Sequence, residues 1–296
     1  MKICLGSAQF GLDYGITNSN GKVPEQNVKD LINIALSNGI NLIDTASCYG
    51  SAEKVLGISL PKNDKFKIST KLPPQLSDYF VKSDIEKWEN TLLMSCKNIR
   101  KKSLDSFLIH NTNDLKKPGS KYLVDWLINI KERGLVKRLG VSIYEANDLF
   151  DIPRDLLDLV QLPLSIYDQR LIKDGTIENL NNQGIAIHAR SLYLQGLILL
   201  PTSKWPPWVK KSSLIQQKKL EELAKTKCCE LIDLAIGFAK TQGSLEAIIV
   251  GICNKYQLYN LLNAWGKQNP WLENQKEWED WSSDDKDLID PRKWQK

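Results

Sequence analysis

The sequence predicts an α/β protein with a single-domain fold, the closed (β/α)8 TIM barrel. Eight runs of five to seven mostly apolar residues recur between residues 2 and 251. The stretches between these runs place apolar residues at helical spacing. Eight alternations of strand and helix are typical of the closed barrel, whereas an open doubly wound sheet rarely needs so many.

The individual elements can be placed from the same patterns. The predicted strands lie at 2–8, 40–46, 66–72, 104–110, 136–142, 159–163, 185–190 and 246–251. Helical spacing predicts helices over 25–39, 83–100, 121–134 and 220–243. Glycines just beyond the last turns indicate helix ends at Gly39, Gly134, Gly184 and Gly243. Cys228 and Cys229 fall inside the last of these helices, where they are expected to pack.

Two segments depart from the alternation. A long loop, 197–213, follows strand seven, and a tryptophan-rich tail begins at Trp265. We therefore predict one barrel domain over residues 1–296, in which residues 265–296 form a C-terminal extension packed on or near the barrel. Such insertions often cover a functional site. Trp205, Trp208 and the tail tryptophans are expected to pack, and we favour a place in the substrate wall for at least one of them.

The composition excludes several classes of protein. The 42% of apolar and 25% of charged residues argue against extensive disorder. The net charge of +5 comes from 40 basic and 35 acidic residues spread along the chain, so nucleic acid is not an expected partner. Apolar runs stay below the roughly 18 residues that span a bilayer, and the N-terminus lacks a signal-peptide pattern. Six cysteines without a C-x-x-C spacing fit a reducing compartment. We expect a cytoplasmic protein without a membrane partner.

Polar side chains that can take part in acid–base chemistry follow three neighbouring strands. Asp44 ends predicted strand two, and Tyr49 lies on the loop that leaves it. Lys71 and His110 end strands three and four. The carboxyl ends of the strands form the functional face of such a barrel, so these four side chains are expected to meet at its mouth. His188, inside strand seven, is expected to belong to the core or to contact the site residues without acting as a catalyst.

This set of residue types suits proton transfer better than metal binding. Lysine and tyrosine are uncommon metal ligands, so no metal is expected. An ammonium group such as that of Lys71 favours the anion of a phenol and would lower its usual pKa of about 10. Asp44 can hold Lys71 charged, His110 can orient a carbonyl oxygen, and Tyr49 can supply the proton. No serine or cysteine is evident as a nucleophile, and a hydride from a nicotinamide cofactor would fill that role.

With these residues in place, the sequence resembles the aldo-keto reductase family over most of its length. The matching segments, in order, are "LGSAQFG", "GINLIDTASCYGSAEKVLG", "ISTK", "LDSFLIH", "LVKRLGVSIY", "QLPLSIYDQR", "GIAIHARSLYLQG" and "IIVGICNKYQL". The resemblance implies that Asp44, Tyr49, Lys71 and His110 are the catalytic tetrad, the same four residues that the strand ends indicate.

The resemblance also implies a nicotinamide cofactor. Its contacts would come from Ser7, Ala8, Asp44, Ser142, Gln161, Arg190, Ser191, Leu192, Gly196, Gly251, Asn254 and Gln257. Arg190 stands where many members place an aromatic ring, and its planar guanidinium can also stack. Lys255 is the candidate partner for a 2′-phosphate in a segment where Asn260 and Leu261 replace the usual Glu and Asn. NADP(H) is therefore expected ahead of NAD(H), by a modest factor.

Three functions remain open at this point. The first is an NAD(P)(H)-dependent oxidoreductase that acts on a sugar or a small aldehyde or ketone, because "HARSLYLQG" and "DPRKW" resemble a branch associated with carbohydrate metabolism. The second is a catalytically weak nicotinamide-binding sensor or interaction protein of the same fold, as the potassium-channel β-subunits are. The third is a barrel lyase or isomerase that uses Lys71 as a Schiff base, for which Asp44 and Tyr49 would be unnecessary.

Overall fold

Eight parallel strands close into a barrel in the computed structural model, which describes residues 1–62, 65–268 and 274–294. The strands are β1 (Lys2–Gly6), β2 (Leu42–Asp44), β3 (Lys67–Leu72), β4 (Leu104–Ile109), β5 (Val136–Ser142), β6 (Leu159–Pro163), β7 (Ala186–Arg190) and β8 (Ala247–Gly251). Each strand pairs with the next along the chain, and β8 pairs with β1. The predicted (β/α)8 TIM barrel is confirmed.

Helices and short turns of 3-10 helix surround the barrel. The helices are α1 (Ala8–Gly11), α2 (Glu25–Ser37), α3 (Ala52–Ser59), α4 (Asp84–Ile99), α5 (Ser120–Glu132), α6 (Arg170–Lys173), α7 (Thr176–Asn182), α8 (Lys211–Thr226), α9 (Leu231–Thr241), α10 (Lys255–Gly266) and α11 (Lys286–Ile289). The 3-10 turns span Thr112–Lys116, Ala146–Leu149, Arg154–Leu156, Leu194–Leu199, Thr202–Lys204, Gln275–Trp281 and Pro291–Lys293. Gly39, Gly134 and Gly184 follow helices with positive φ, as their positions predicted.

The strands are apolar because both of their faces are covered. Helices bury the outer face of a parallel sheet, and the side chains of the other strands fill the barrel interior. Trp126 of α5 shows this packing, since its ring lies 6.0 Å from that of Phe107 in β4 and 5.9 Å from that of Trp88 in α4. At Gly140 in β5 a Cβ atom would lie 2.1 Å from the carbonyl oxygen of Leu159. The close approach of β5 and β6 therefore requires glycine there.

The helix predicted over 220–243 is in fact two helices, α8 and α9. Glu230 begins α9 with a capping box, in which the Asp233 carboxylate accepts a hydrogen bond from the Glu230 N–H at 2.9 Å. Cys228 stands in the turn between the helices with a φ of 50° and is exposed, while Cys229 is half-buried. The expectation that both cysteines pack within one helix is wrong, because the capping box starts a new helix two residues beyond the pair.

The described part of the C-terminal segment, 274–294, packs against the loop after β6 and against α8. Gln169 donates to the Trp278 carbonyl at 2.7 Å, the Ser283 N–H donates to the Tyr167 carbonyl at 2.8 Å, and Lys210 pairs with Asp285. Residues 269–273 and 295–296 of the predicted extension lie outside the described residues. Within the described ranges, no helix combines the length and apolar character that crossing a membrane requires.

The tryptophans predicted as candidates for a substrate wall pack elsewhere. Trp205 is buried and donates to the Leu200 carbonyl at 3.2 Å. Trp208 lies against Trp294, with ring centroids 5.4 Å apart. Among the described residues, no tryptophan lines the cavity at the barrel mouth. Trp271, the remaining tail candidate, lies outside them. The large apolar rings are used for packing the loops and tail together.

The opposite end of the barrel interior holds a network of charges. His188 is buried, and its Nε2 lies 2.9 Å from Oε1 of Glu246, which precedes β8. Arg138 donates to both oxygens of Glu246 at 3.0 and 3.1 Å and to Asp105 at 2.7 Å. His188 is therefore a core residue, as expected, with a structural carboxylate as its partner.

Candidate active site

A cavity of about 720 Å³ opens at the carboxyl ends of the barrel strands. Its wall contains the last residues of five strands, Gly6, Asp44, Ser142, Arg190 and Gly251. Most of the residues predicted for the site line this cavity, namely Ser7, Ala8, Asp44, Tyr49, His110, Ser142, Gln161, Arg190, Ser191, Leu192, Gly196, Gly251 and Gln257. The closed barrel thus brings together side chains that are far apart in sequence.

A buried ion pair lies at the floor of the cavity. The Lys71 Nζ is 2.7 and 2.8 Å from the two carboxylate oxygens of Asp44 and 2.8 Å from the Thr45 carbonyl oxygen. The Gln161 amide also donates to Asp44, at 2.8 Å. Lys71 is fully buried behind Asp44 and does not line the cavity. A buried charged group needs such partners, and these hydrogen bonds supply them to Lys71.

The loop that carries Tyr49 is held by close backbone contacts. A Cβ atom at Gly11 would lie 1.9 Å from the Tyr49 carbonyl oxygen. Gly50 has a φ of +55°, and its own Cβ would lie 2.5 Å from the Gly11 carbonyl oxygen. The Ser47 hydroxyl donates to the Lys71 carbonyl at 3.0 Å. Two glycines therefore let the loop after β2 dock against the end of α1, which places the Tyr49 ring beside Lys71.

Tyr49 lies between the charged pair and His110. The Lys71 Nζ is 5.4 Å from the centroid of the Tyr49 ring, and the His110 ring meets it edge-on at 6.0 Å. Burial raises the pKa of Tyr49 well above its usual value, Asp44 raises it further, and Arg190 lowers it. The sequence predicted that Lys71 would lower this pKa. That direction is wrong in the structure, because the phenol is desolvated and Asp44 neutralises much of the Lys71 charge.

His110, the residue that follows β4, carries a neutral ring. Burial lowers its pKa to about 4, and Lys71 adds to this effect. At neutral pH the imidazole therefore has one N–H donor and one nitrogen that accepts. Its Nδ1 lies 3.3 Å from the Sγ of Cys48. The ring is thus able to offer a hydrogen bond into the cavity without carrying a charge.

Arg190 forms part of the cavity wall at the end of β7. It donates to the Ile143 carbonyl at 2.9 Å, and its guanidinium carbon lies 4.0 Å from the centroid of the Tyr144 ring. Arg292 of the C-terminal segment lies 3.5 Å from the same ring centroid. Tyr144 lines the cavity and was missed by the sequence reasoning. Its position two residues beyond Ser142, at the functional end of β5, was the available signal.

The loops after β1 and β7 meet beside the cavity. The Thr17 hydroxyl donates to the Gln195 carbonyl at 3.0 Å. Gly196 has a φ of +94°, and a Cβ there would lie 2.1 Å from the Thr17 hydroxyl oxygen. Tyr14, Thr17 and Gln195 all line the cavity, and none was predicted. The loop after β1 lies at the functional end of the barrel, and that rule could have identified it.

The far end of the cavity is formed by β8 and α10. Gly251 lines it and is in contact with Gln9, whose amide nitrogen would lie 2.5 Å from a Cβ at that position. Asn254 does not line the cavity; it caps α10, accepting from the Gln257 N–H at 2.9 Å. Gln257 lines the cavity and accepts from the Cys253 N–H at 2.8 Å. Asn254 therefore supports this end of the cavity through the helix terminus.

The cation at this end of the cavity is Lys267, which the sequence reasoning missed. Lys255, the predicted candidate, pairs with Asp30 at 2.9 Å and does not line the cavity. Lys267 lines it and pairs with the buried Asp233 at 2.6 Å. Gln257 and Ala264, seven residues apart, share one face of α10 and line the cavity, and Lys267, the C-cap residue three positions further on, lines it as well. That spacing was the signal.

Across residues 1–62, 65–268 and 274–294, no group of three histidine, cysteine, aspartate or glutamate side chains is arranged to hold a metal ion. The Asp44 carboxylate is taken up by Lys71 and Gln161. The described side chains are therefore arranged for hydrogen bonding and charge pairing.

Known proteins share this fold and parts of this sequence. D-arabinose 1-dehydrogenase from Saccharomyces cerevisiae is 28% identical over 149 residues, which cover 48% of this chain and 42% of that protein. The match thus spans less than half the length of that relative. A glycerol dehydrogenase from Gluconobacter oxydans has a TM-score of 0.70 at 22% identity, covering 94% of this chain and 90% of its own.

A second solved structure resembles the whole barrel more strongly. An aldo-keto reductase from Bacillus halodurans, in its holo form, has a TM-score of 0.76 at 16% identity and covers 95% of this chain and 92% of its own. At such identities the structures establish a shared fold. The model of the Aldo/keto reductase family matches residues 2–274. Because that match covers nearly all of the sequence that builds the barrel and its cavity, the chain belongs to the aldo-keto reductase family, whose members are nicotinamide-dependent oxidoreductases.

Proposed function

We propose that this protein is an NAD(P)(H)-dependent oxidoreductase that interconverts a carbonyl and an alcohol, with Tyr49 as the proton donor and acceptor. The observation that carries the proposal is the position of Tyr49, which lies in one cavity wall with His110 and Asp44 and has Lys71 5.4 Å from its ring centroid. A phenol, a neutral imidazole and a buried ammonium–carboxylate pair at one mouth are the parts that carbonyl reduction needs.

Each of these side chains has a separate task. The His110 ring donates a hydrogen bond to the carbonyl oxygen and orients it. A bound nicotinamide supplies the hydride. Tyr49 delivers its proton as negative charge develops on the oxygen, and its raised pKa keeps that proton in place until then. Lys71, held by Asp44 at 2.7 Å, stabilises the phenolate that forms. In the oxidation direction Tyr49 accepts the proton instead.

The residues present fit a nicotinamide dinucleotide. The cavity volume of about 720 Å³ lies within the range of cofactor sites. The buried Ser7 hydroxyl lines the cavity and has no hydrogen-bond partner there, which suits a polar group of a bound molecule. Ser142 and Gln161 would hold the carboxamide, and Arg190 would lie against the nicotinamide ring. The loop from Ser191 to Gly196 would hold the pyrophosphate through its backbone amides.

The two ends of α10 bear on the choice between NADP(H) and NAD(H). Lys255 is about half exposed and already paired with Asp30, while Lys267 lines the cavity but is paired with Asp233. A lysine that shares its charge with a carboxylate attracts a phosphate less strongly than a free one. We therefore propose that NADP(H) binds better than NAD(H) by a modest factor. Of the two lysines, Lys267 would be the one closer to the 2′-phosphate, because it lines the cavity.

A sugar or another small polyhydroxylated carbonyl compound is the proposed substrate. The names of two relatives, D-arabinose 1-dehydrogenase and glycerol dehydrogenase, support this class. Polar side chains of Tyr14, Asn18 and Tyr144 line the cavity and would suit hydroxyl groups of the substrate.

The free cysteines remain the basis for proposing a cytoplasmic location.

The test is turnover of sugars, aldehydes and ketones with both cofactors, followed by nicotinamide absorbance, in the wild type and in Tyr49→Phe. Removing a general acid typically costs about 10²- to 10⁴-fold, so kcat should fall that far while cofactor affinity stays nearly unchanged. Tyr122→Phe, at an exposed tyrosine of α5, is the matched control and should behave as wild type. Activity of Tyr49→Phe within a few-fold of wild type would remove Tyr49 from the mechanism. Cofactor binding without any turnover would favour the sensor alternative.

A further inference from the structure

Cys48 stands next to Tyr49 on the loop after β2, in contact with His110. Its Sγ lies 3.3 Å from Nδ1 of the imidazole, within the range of a sulfur hydrogen bond. The turn that presents it is fixed on both sides, because the Ser47 hydroxyl donates to the Lys71 carbonyl and the Tyr49 N–H donates to the Ala46 carbonyl at 3.0 Å. The contact between thiol and imidazole is therefore set by the same loop that places the phenol.

Both members of this contact are uncharged at neutral pH. Desolvation raises the pKa of the Cys48 thiol although the residue is exposed, so the sulfur keeps its hydrogen. Burial lowers the pKa of His110 to about 4, so the ring carries a single hydrogen. A thiol can donate to an unprotonated ring nitrogen, and the nitrogen that accepts is then the one without hydrogen. Which nitrogen of a histidine is protonated is decided by the hydrogen bond that the other makes.

We propose that the Cys48 thiol donates to Nδ1 of His110 and thereby keeps the ring hydrogen on Nε2, the nitrogen left to meet a carbonyl oxygen. The effect of this hydrogen bond on catalysis rests on the proposed oxidoreductase function. His110 can orient a carbonyl oxygen only if Nε2 carries the ring hydrogen. Cys48 is a positioning residue in this scheme: it acts through His110 and transfers no proton to the substrate.

The direct test is the tautomer of His110, read by ¹⁵N NMR of the imidazole rings. The chain has two histidines, His110 and His188, and His188→Gln assigns their signals. We expect wild type to carry its hydrogen on Nε2 of His110. Cys48→Ala, which lacks the donor, should populate the Nδ1–H form. Cys48→Ser, which restores a donor, should return the ring to Nε2–H. Cys228→Ala, at an exposed cysteine remote in the α8–α9 turn, should leave the His110 signals unchanged.

Turnover gives a second measurement on the same variants. Loss of one hydrogen bond to a neutral group predicts that kcat falls about 3- to 10-fold in Cys48→Ala, with the KM for cofactor unchanged and recovery in Cys48→Ser. An Nδ1–H ring in wild type, or a Cys48→Ala ring that stays entirely Nε2–H, would overturn the proposal whatever the activity. If the tautomer responds as expected but no protein turns over any carbonyl, the hydrogen bond stands and the oxidoreductase proposal fails.

Discussion

Arg190 stands at the position where many aldo-keto reductases carry an aromatic ring. Its guanidinium is in the cavity wall and finds a carbonyl oxygen and the Tyr144 ring as partners. A partly buried guanidinium without a carboxylate is stabilised by planar or anionic partners. These described contacts of Arg190 lie at the cavity end of the barrel. Its contact with the cofactor stays a prediction.

Three substitutions separate stacking from charge at this position. Arg190→Ala should weaken cofactor binding, measured by fluorescence quenching, because it removes both the planar surface and the charge. Arg190→Tyr should recover much of the loss if stacking matters, whereas recovery in Arg190→Lys would indicate charge. If all three bind the cofactor as wild type does, the side chain has no role in the cofactor site.

The pKa directions of Tyr49 and His110 predict the pH dependence of the reaction. Tyr49 keeps its proton because its pKa is raised well above its usual value, and His110 is neutral because its pKa is about 4. Reduction uses the protonated phenol, so its kcat/KM should be flat from about pH 6 to 9. Oxidation needs the phenol to lose its proton, so its kcat/KM should rise with pH over that range. An inflection near pH 6.5 in either direction would contradict the neutral state of His110.

Among the secondary-structure elements, the site depends on the contact between the end of α1 and the loop after β2. A side chain at Gly11 would meet the Tyr49 carbonyl oxygen at 1.9 Å and the Ala52 nitrogen at 2.3 Å. Both atoms belong to the backbone, so the steric clash could be relieved only if the loop that carries Tyr49 moved. The spacing between Asp44 and Tyr49 is local in sequence, but the direction of the phenol is set by this contact.

Gly11→Ala should therefore harm both stability and turnover. Overpacking of this kind costs about 1–3 kcal/mol in the free energy of unfolding, and misplacement of Tyr49 should lower kcat at least about tenfold. Urea unfolding and steady-state kinetics measure the two effects. Gly243→Ala is the control, because a Cβ there meets no atom within 4 Å and the φ is not positive. Equal behaviour of the two variants would show that the loop contact is not needed.

The two ends of the barrel have different roles. The carboxyl ends of the strands hold the cavity, and the other end holds the charge network of Glu246, His188 and Arg138. Hydrogen bonds from His188 and then from Arg138 lower the pKa of Glu246 to about 2. Charge pairing at that end of a barrel contributes to stability rather than to catalysis. The assignment of residues 1–296 to one domain, with 265–296 as its extension, stays a prediction.

Glu246→Gln should lower the stability of the fold in a pH-dependent way. Because the pKa of Glu246 is depressed when folded, its contribution is present above its unfolded pKa of about 4.3 and is lost as the pH falls toward 2. The side chain is 36% exposed, so after allowance for solvent screening we expect a cost of about 1–2 kcal/mol at pH 7. Urea unfolding at about pH 7 and pH 3 should show a smaller difference at the lower pH. Glu222→Gln, on the exposed face of α8, should show little cost at either.

The strands and the residues that carry the proposed chemistry could be identified from the amino-acid sequence alone. All eight strands lie within the predicted runs, because a parallel strand covered on both faces must be apolar along its length. Asp44, Lys71 and His110 could be placed at one mouth because the barrel topology brings successive strand ends together. The prediction of one helix over 220–243 was wrong. The apolar spacing continues through this range, but the capping box at Glu230 begins a second helix within it.

The surroundings of those residues, by contrast, became apparent only in the folded chain. The pKa of Tyr49 is raised rather than lowered because burial and the Asp44–Lys71 pairing act on it together. Lys267, the residue just beyond α10, lines the cavity and pairs with Asp233, whereas Lys255 at the start of α10 pairs with Asp30. Both differences have one cause, because local patterns fix which backbone conformation forms, whereas burial, charge pairing and loop contacts exist only once distant segments have packed against one another.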